Sequence, residues 1–333
     1  MIHCAARADS RWSAPRMVRA AVNMIEQVLA PKFLLLYVVV LSALYVHLRG
    51  RERFRFTRQL FNHSTLLAPY NALMYLFSGV PATPYQDPAR FPELAPLREN
   101  WTTLRDEALR LFDEGHIRGA LANNDVGFNS FFKRGWKRFY VKWYADPLPS
   151  AQALCPKTVA LLSDIPSVKA AMFAILEPDA HLNPHRDPFA GSLRYHLGLR
   201  TPNSDACFIV VDGQRYSWRD GEAVMFDETF IHWAENKTDT TRIILFCDIE
   251  RPLRGRLMTG VNRYVIEHLV KISATQNVVG EPVGVLNRIY ATVVHPIGSR
   301  VDAFFRTLKQ RNKPLSVVFK YTLALGLLYL IFS

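Results

Sequence analysis

Two histidines and an aspartate have the residue types and the spacing of a metal site. His185 and Asp187 stand two apart in NPHRDPF, where Pro184 and Pro188 favour an extended backbone. Residues i and i+2 of an extended chain face the same side, so the imidazole and the carboxylate project together. A surface turn held by an Asp–His hydrogen bond would give the same short pattern, so a further ligand is needed to identify a site.

The further ligand is His232, which follows in ETFIHWAEN at the end of a predicted strand. Two imidazoles and one carboxylate on one face of a metal form the ligand set of non-haem iron(II) oxygenases, with open positions left over. We therefore predict that His185, Asp187 and His232 bind iron and form the catalytic centre. A 2-oxo acid would take two open positions and dioxygen the third.

A cosubstrate such as 2-oxoglutarate has a second carboxylate, which must meet a buried cation because an unpaired buried charge is costly. Arginine suits this task because its planar fork binds a carboxylate through two hydrogen bonds. Arg242 begins the run RIILFCDI, while Arg194 and His196 share one face of LRYHLGL, opposite Leu193, Tyr195 and Leu197. We predict an anion pocket on that face. A surface salt bridge is the alternative for Arg242.

Short strands must position these residues. Between residues 170 and 250, apolar or alternating runs are separated by the turn compositions EPD, TPNSD, DGQ, RDGE and NKTDT. Regular short strands with such turns favour a mainly β core, folded either as a sandwich or as a double-sheet jelly roll, which is also called a double-stranded β-helix. Helical periodicity over residues 101–112 and helix-like segments after Pro252 predict flanking α-helices.

Two apolar runs frame this core. Residues 33–48 carry no charge, and residues 315–332 carry only Lys320. A membrane-spanning helix needs about 20 apolar residues, so each run is close to that length, and a buried core helix is the alternative. The predicted organisation has six segments in chain order. It comprises a basic tail (1–32), a transmembrane helix (33–49), a membrane-proximal segment and linker (50–99), a jelly-roll dioxygenase domain (100–252), a helical membrane-proximal segment (253–313) and a second transmembrane helix (314–332).

The charge of the chain favours a membrane over nucleic acid. The formal net charge is +12, and much of the excess lies beside the two apolar runs. Basic residues next to a hydrophobic run mark the cytoplasmic side of a span, and no recognisable nucleic-acid motif accompanies them. We predict a bacterial inner-membrane protein with its catalytic domain facing the cytoplasm.

The segments HRDPFAGSLRYHLGL, FDETFIHWAEN and RIILFCDIERP resemble the aspartyl/asparaginyl β-hydroxylase family, and most of all its bacterial lipid A hydroxylases. The resemblance extends over roughly residues 44–252. It implies a jelly-roll core, iron(II) and 2-oxoglutarate. The residues that match the family's functional positions are, for the metal, His185 and His232 and, for the cosubstrate, Arg194, His196, Arg242 and, with looser spacing, Trp136.

Two departures from the animal protein hydroxylases bear on the substrate. Those enzymes have glycine where this chain has Asp187, and their cosubstrate-contacting serine falls on Ala174. Asp187 therefore favours the lipid branch, whose members hydroxylate an acyl chain of lipid A. An aspartyl or asparaginyl hydroxylase acting on a protein or peptide is the first alternative. A non-catalytic membrane scaffold with a degenerate jelly roll is the second.

Overall fold

The computed structural model describes residues 18–19, 23, 31–60, 62–120 and 125–332. Within them, ten strands form two antiparallel sheets. The strands are β1 (Tyr85–Gln86), β2 (Trp136–Trp143), β3 (Val168–Leu176), β4 (His181–His185), β5 (Ser192–Arg200), β6 (Cys207–Val211), β7 (Gln214–Ser217), β8 (Ala223–Phe226), β9 (His232–Asn236) and β10 (Arg242–Glu250). The larger sheet has the order β1-β8-β5-β10-β3-β2, and the smaller has the order β4-β9-β6-β7.

The alternation of side chains along β5 and β10 separates the core from the site. Leu193, Tyr195 and Leu197 of β5 pack in one apolar cluster with Leu245 and Cys247 of β10. The intervening residues face the other way, toward the smaller sheet, because successive side chains of a strand point to opposite faces. The predicted polar face of β5 is thereby confirmed.

Helices cover the outer face of the larger sheet and flank the strands. The helix Trp101–Asp113 buries Leu104, Ala108 and Leu111 in the same cluster as the apolar face of β5. The other α-helices are Pro31–Leu48, Phe56–Leu60, His63–Leu66, Ala68–Leu76, Ala95–Glu99, Asn129–Phe132, Pro149–Leu154, Pro156–Ser163, Arg256–Val265, Val285–Ile289, His295–Arg311 and Lys313–Phe332. The mainly β core with flanking helices agrees with the predicted fold class.

The two terminal apolar runs are helical. The helices Pro31–Leu48 and Lys313–Phe332 lie where spans were predicted. Among the residues that the structure describes, however, no helix is long and apolar enough to cross a membrane. The two predicted transmembrane helices are therefore not confirmed. Most of the predicted basic tail lies outside the described residues.

A buried ion-pair cluster joins the N-terminal helix to the β core. Arg49 donates hydrogen bonds to Asp227 Oδ2 at 2.7 Å and to Thr229 Oγ1 at 2.6 Å. Arg251 donates to the same Asp227 oxygen at 2.8 Å. Burial alone would raise the pKa of Asp227, but the two guanidinium groups hold that pKa well below its usual range. Asp227 is thus an ionised carboxylate shared by two buried arginines.

The loop between β4 and β5 is tied to the same helix. The guanidinium of Arg186 donates to the backbone carbonyls of Val46 and Arg49. The backbone amides of Arg51 and Glu52 donate to Asp212 Oδ1 at 2.7 and 2.8 Å. The helix end is therefore fixed against the residues that surround His185.

Replacing Asp227 by asparagine should lower the free energy of unfolding by about 3–5 kcal/mol, because both buried arginines lose their shared counter-charge. The stabilisation by Asp227 should be complete above its unfolded-state pKa of about 3.9 and should be lost as the pH falls below that value. Urea denaturation at pH 7 and pH 3 measures both effects. The control is Asp205→Asn, which removes an exposed carboxylate that is also paired with an arginine, Arg219. Equal denaturation midpoints for the two variants would contradict this role.

Candidate active site

The three predicted metal ligands converge. His185 is the last residue of β4, and it lies directly opposite His232, the first residue of β9, in the antiparallel pairing of these strands. The two imidazole ring centres are 4.2 Å apart. Asp187 places Oδ1 3.8 Å from His185 Nε2. One ligand atom from each residue lies within 4.8 Å of the others, which is the geometry of a common metal site.

Hydrogen bonds orient both imidazoles in the same way. Nδ1 of His185 lies 2.7 Å from the carbonyl oxygen of Asn183, and Nδ1 of His232 lies 3.0 Å from that of Phe230. A carbonyl oxygen only accepts hydrogen bonds, so each Nδ1 carries the proton and each Nε2 keeps its lone pair. Burial and the neighbouring His185 lower the pKa of His232 to about 3. Neutral imidazoles with free Nε2 atoms suit a metal.

Asp187 is ionised and fixed. Burial would raise the pKa of its carboxyl group, but Arg194 and the two histidines lower it to about 2. Arg194 Nη2 donates to Asp187 Oδ2 at 2.8 Å. The hydrogen bond holds one carboxylate oxygen, while the other lies toward His185.

Arg194 is already surrounded by carboxylates. Its Nε donates to Asp248 Oδ1 at 2.7 Å and lies 3.7 Å from Glu228 Oε2. The hydroxyl of Tyr144 donates to the other oxygen of Asp248 at 2.8 Å. In this arrangement Arg194 orients the ligand Asp187. The predicted binding of the cosubstrate by Arg194 stays a prediction.

Arg242 has the opposite environment. Its side chain is buried, and it forms no ion pair with any residue that the structure describes. Its Nε also lacks a hydrogen-bond partner there, and its guanidinium lies over the Trp218 ring at 4.4 Å. Burial lowers the pKa of Arg242 to about 10, so the group is charged at neutral pH. A buried cation without a counter-charge is a place for an anion.

Other buried polar atoms near Arg242 also lack partners in the described part of the chain. They are both ring nitrogens of His196 and Nε1 of Trp218. Together with Arg242 they line a narrow cavity that also contains the three metal ligands. Groups of this kind fit a ligand that has several oxygens, as a dicarboxylic oxo acid has. The sequence did not identify Trp218, because this residue ends the strand run RYSW and has no spacing pattern that marks a site.

Aromatic side chains form the remaining walls of the cavity. Trp136, at the start of β2, stacks on Phe128 with ring centres 4.8 Å apart. Phe131 packs against the His185 ring at 4.8 Å, and Phe226 packs against His232 at 5.7 Å. These rings narrow the cavity around the ligands. Trp136 lies in the predicted pocket, and its contact with a cosubstrate stays a prediction.

A wider cavity forms the mouth of the site. It shares His185 and Phe131 with the narrow cavity and is rimmed by the basic residues Arg58, Lys133 and Arg134. Glu177 and Asp179 also line this opening, through which outside solvent reaches His185.

The variant Arg194→Lys should weaken metal binding by about 10- to 100-fold, because lysine keeps the charge but loses the fork that joins Asp187 to Asp248. Titration of the metal-free protein with Co(II), followed by visible absorption, measures this affinity. Arg200→Lys, at the far end of the same strand, is the matched control. If both variants bind Co(II) as the unaltered protein does, Arg194 does not orient the ligand.

Known proteins are similar to the part of the chain that carries this site. Residues 98–252 match the family model described as Aspartyl/Asparaginyl beta-hydroxylase. The ornithine lipid ester-linked acyl 2-hydroxylase of Rhizobium tropici is 36% identical over 186 residues, which are 55% of this chain and 65% of that protein. The human aspartyl/asparaginyl beta-hydroxylase is 28% identical over 187 residues, which are 54% of this chain and 24% of that protein. The chain thus spans less than two thirds of the length of either relative.

Among solved structures, a prolyl-4-hydroxylase of Pseudomonas putida is similar at 18% identity with a TM-score of 0.30, over 47% of this chain and 88% of that chain. That likeness is too slight to add to the sequence match. The matched residues 98–252 include all three converging ligands and Arg242. Through this segment the chain is similar to the aspartyl/asparaginyl β-hydroxylase family.

Proposed function

We propose that this protein is an iron(II)- and 2-oxoglutarate-dependent dioxygenase that hydroxylates an acyl chain of a membrane lipid. The observation that carries the proposal is the pairing of two sites in one cavity. His185, Asp187 and His232 offer three ligand atoms within 4.8 Å, and the buried Arg242 has no counter-charge among the described residues. An oxo acid with a second carboxylate fits this arrangement.

Each part of the site has a separate task in this proposal. The bound iron would couple the oxidative decarboxylation of 2-oxoglutarate to succinate and carbon dioxide with the insertion of one atom of dioxygen into a C–H bond. Arg242 would neutralise the remote carboxylate, and His196 and Trp218 would bind cosubstrate oxygens. The aromatic walls would exclude bulk water from the reacting carbon.

The lipid substrate is supported by sequence likeness and by charge. The Rhizobium relative is named for hydroxylating an ester-linked acyl chain at position 2. Within that class we propose an acyl chain of lipid A, since an anionic lipid suits a chain with net charge +12 and a basic site mouth. An acyl chain of an amino-acid-containing lipid is the nearest competitor.

The proposed location is the cytoplasmic face of the inner membrane. The helix Pro31–Leu48 exposes large apolar side chains, among them Leu34, Leu35 and Leu41. Exposed apolar surface of this extent is unfavourable in water and is typical of contact with a membrane or a partner. Four arginines follow the end of this helix: Arg51, Arg53, Arg55 and Arg58. We propose that the two terminal helices hold the catalytic domain at the membrane.

A protein or peptide substrate is the alternative, because the human relative is named as an aspartyl/asparaginyl hydroxylase. The mouth of the site also carries Glu177 and Asp179, so its charge alone does not separate the two classes. A non-catalytic scaffold is disfavoured, since the ligand set is intact and its imidazoles are oriented.

The direct test of the substrate is mass spectrometry of lipids incubated with the full-length protein, iron(II) and 2-oxoglutarate. We expect lipid A to gain one oxygen atom on an acyl chain. The gain should vanish in His185→Ala and His232→Ala and persist in His268→Ala, which alters an exposed histidine. Hydroxylation of an Asp- or Asn-containing peptide and of no lipid would establish the alternative function.

The role of Arg242 can be tested separately. Arg242→Met should weaken 2-oxoglutarate binding by about 10- to 100-fold, the loss expected for hydrogen bonds to a charged group. Binding of 2-oxobutanoate, which has no second carboxylate, should be unchanged. Isothermal titration of the metal-loaded protein measures both affinities, and Arg215→Met at an exposed arginine is the control. An equal loss for both oxo acids would show that Arg242 does not bind the remote carboxylate.

A further inference from the structure

An apolar groove lies on the N-terminal side of the molecule, away from the metal ligands. The helix Pro31–Leu48 and the helix Phe56–Leu60 form most of its lining. The lining residues are Val39, Val40, Ala43, Leu44, His47, Phe56, Gln59, Leu60 and Thr65. We call it the helix groove. Its accessible surface is almost entirely carbon.

Some of the polar groups of the helix groove bond to one another. Gln59 Nε2 donates to Ser64 Oγ at 3.0 Å and to Thr65 Oγ1 at 2.9 Å. Thr65 Oγ1 donates to the backbone carbonyl of Gln59 at 2.6 Å. Two buried polar atoms of the lining, Gln59 Oε1 and His47 Nδ1, have no hydrogen-bond partner among the described residues. The rest of the groove surface offers an occupant apolar contact.

One short helix separates the helix groove from the mouth of the active site. Phe56, Gln59 and Leu60 line the groove, while Arg58 of the same helix lines the mouth with His185. Arg58 Nη2 donates to the carbonyl of Pro184 at 3.0 Å, which fixes the helix beside the metal ligand. The distance from mouth to groove is thus about one helix diameter, roughly 10 Å.

The charge and apolarity of this region match those of an anionic lipid. The mouth carries three basic residues, Arg58, Lys133 and Arg134, against two acidic residues, Glu177 and Asp179. The helix groove opens onto the exposed apolar side chains of Val39, Val40 and their neighbours. A headgroup at the mouth and a hydrocarbon tail in the groove would each meet complementary surface.

We propose that the helix groove binds the tail of the acyl chain whose carboxyl end lies at the metal ligands. This inference rests on the proposed function, because hydroxylation next to the acyl carbonyl keeps the headgroup at the mouth. The rest of the chain then passes the helix Phe56–Leu60 and enters the groove. The groove therefore selects substrates by acyl length.

A bulky side chain in the groove tests the proposal. With lipids of increasing acyl length, kcat/KM of the unaltered protein should rise by up to about fourfold for each methylene group that becomes buried. Ala43→Trp should fill the groove, flatten this dependence and reduce kcat/KM for the longest lipid at least about tenfold, the loss of about two buried methylenes. Short-chain lipids should be unaffected. Leu41→Trp, on an exposed face of the same helix outside the groove, is the matched control.

A measurement without turnover complements the kinetics. Metal-free full-length protein in vesicles of anionic phospholipid is irradiated with a lipid that carries a diazirine at the end of its acyl chain. We expect crosslinks to the groove residues within 39–65, and we expect Ala43→Trp but not Leu41→Trp to abolish them. Crosslinks outside the groove, or equal effects of the two variants, would overturn the proposal. Protein–protein adducts through these residues would instead identify a second copy as the occupant.

The two proposals fail in different ways. If no lipid is hydroxylated while the tail probe still crosslinks in the groove, the proposed reaction is wrong and the tail site stands. If lipids are hydroxylated with the same length dependence in Ala43→Trp and Leu41→Trp, the tail site is wrong and the reaction stands.

Discussion

The carboxylate of Asp227, shared by Arg49 and Arg251, connects the parts of the molecule that must act together. Arg49 directly follows the N-terminal apolar helix, Asp227 begins the loop that leads to His232, and Arg251 follows β10. Since all three groups are buried, separating them would leave unpaired charges inside the protein. The apolar helix and the candidate metal ligands are therefore held in one fixed relation, as the proposed lipid hydroxylation requires.

Two other buried arginines, Arg194 and Arg242, have different roles in the active site. Arg194 is neutralised by carboxylates of the chain itself, and one of these is the metal ligand Asp187. Arg242 meets only an aromatic ring and unpaired polar atoms in the described chain. Arg194 therefore helps to build the site, while Arg242 remains open to an anion. The two arginines differ in the number of carboxylates that lie near them.

Local patterns predicted much of this arrangement. The two-residue repeat of β5 placed Arg194 and His196 on one face, and the prolines around His185 and Asp187 predicted a shared direction. Contacts between distant segments could not be predicted in this way. The pairing of Arg194 with Asp248 depends on the register of β5 and β10. The hydrogen bond from Arg49 to Asp227 joins residues far apart in sequence. Trp218 lacked any signal, because only the folded sheets bring it to Arg242.

The pairing of β4 with β9 has a consequence for the cell. His185 and His232 come from distant parts of the chain and meet only when these two strands align in the correct register. A slip by one residue would turn one imidazole to the opposite face of the sheet. A nascent or partly unfolded chain therefore lacks the complete set of three candidate ligands. A metal ion that needs all three would be held only by molecules that have finished folding.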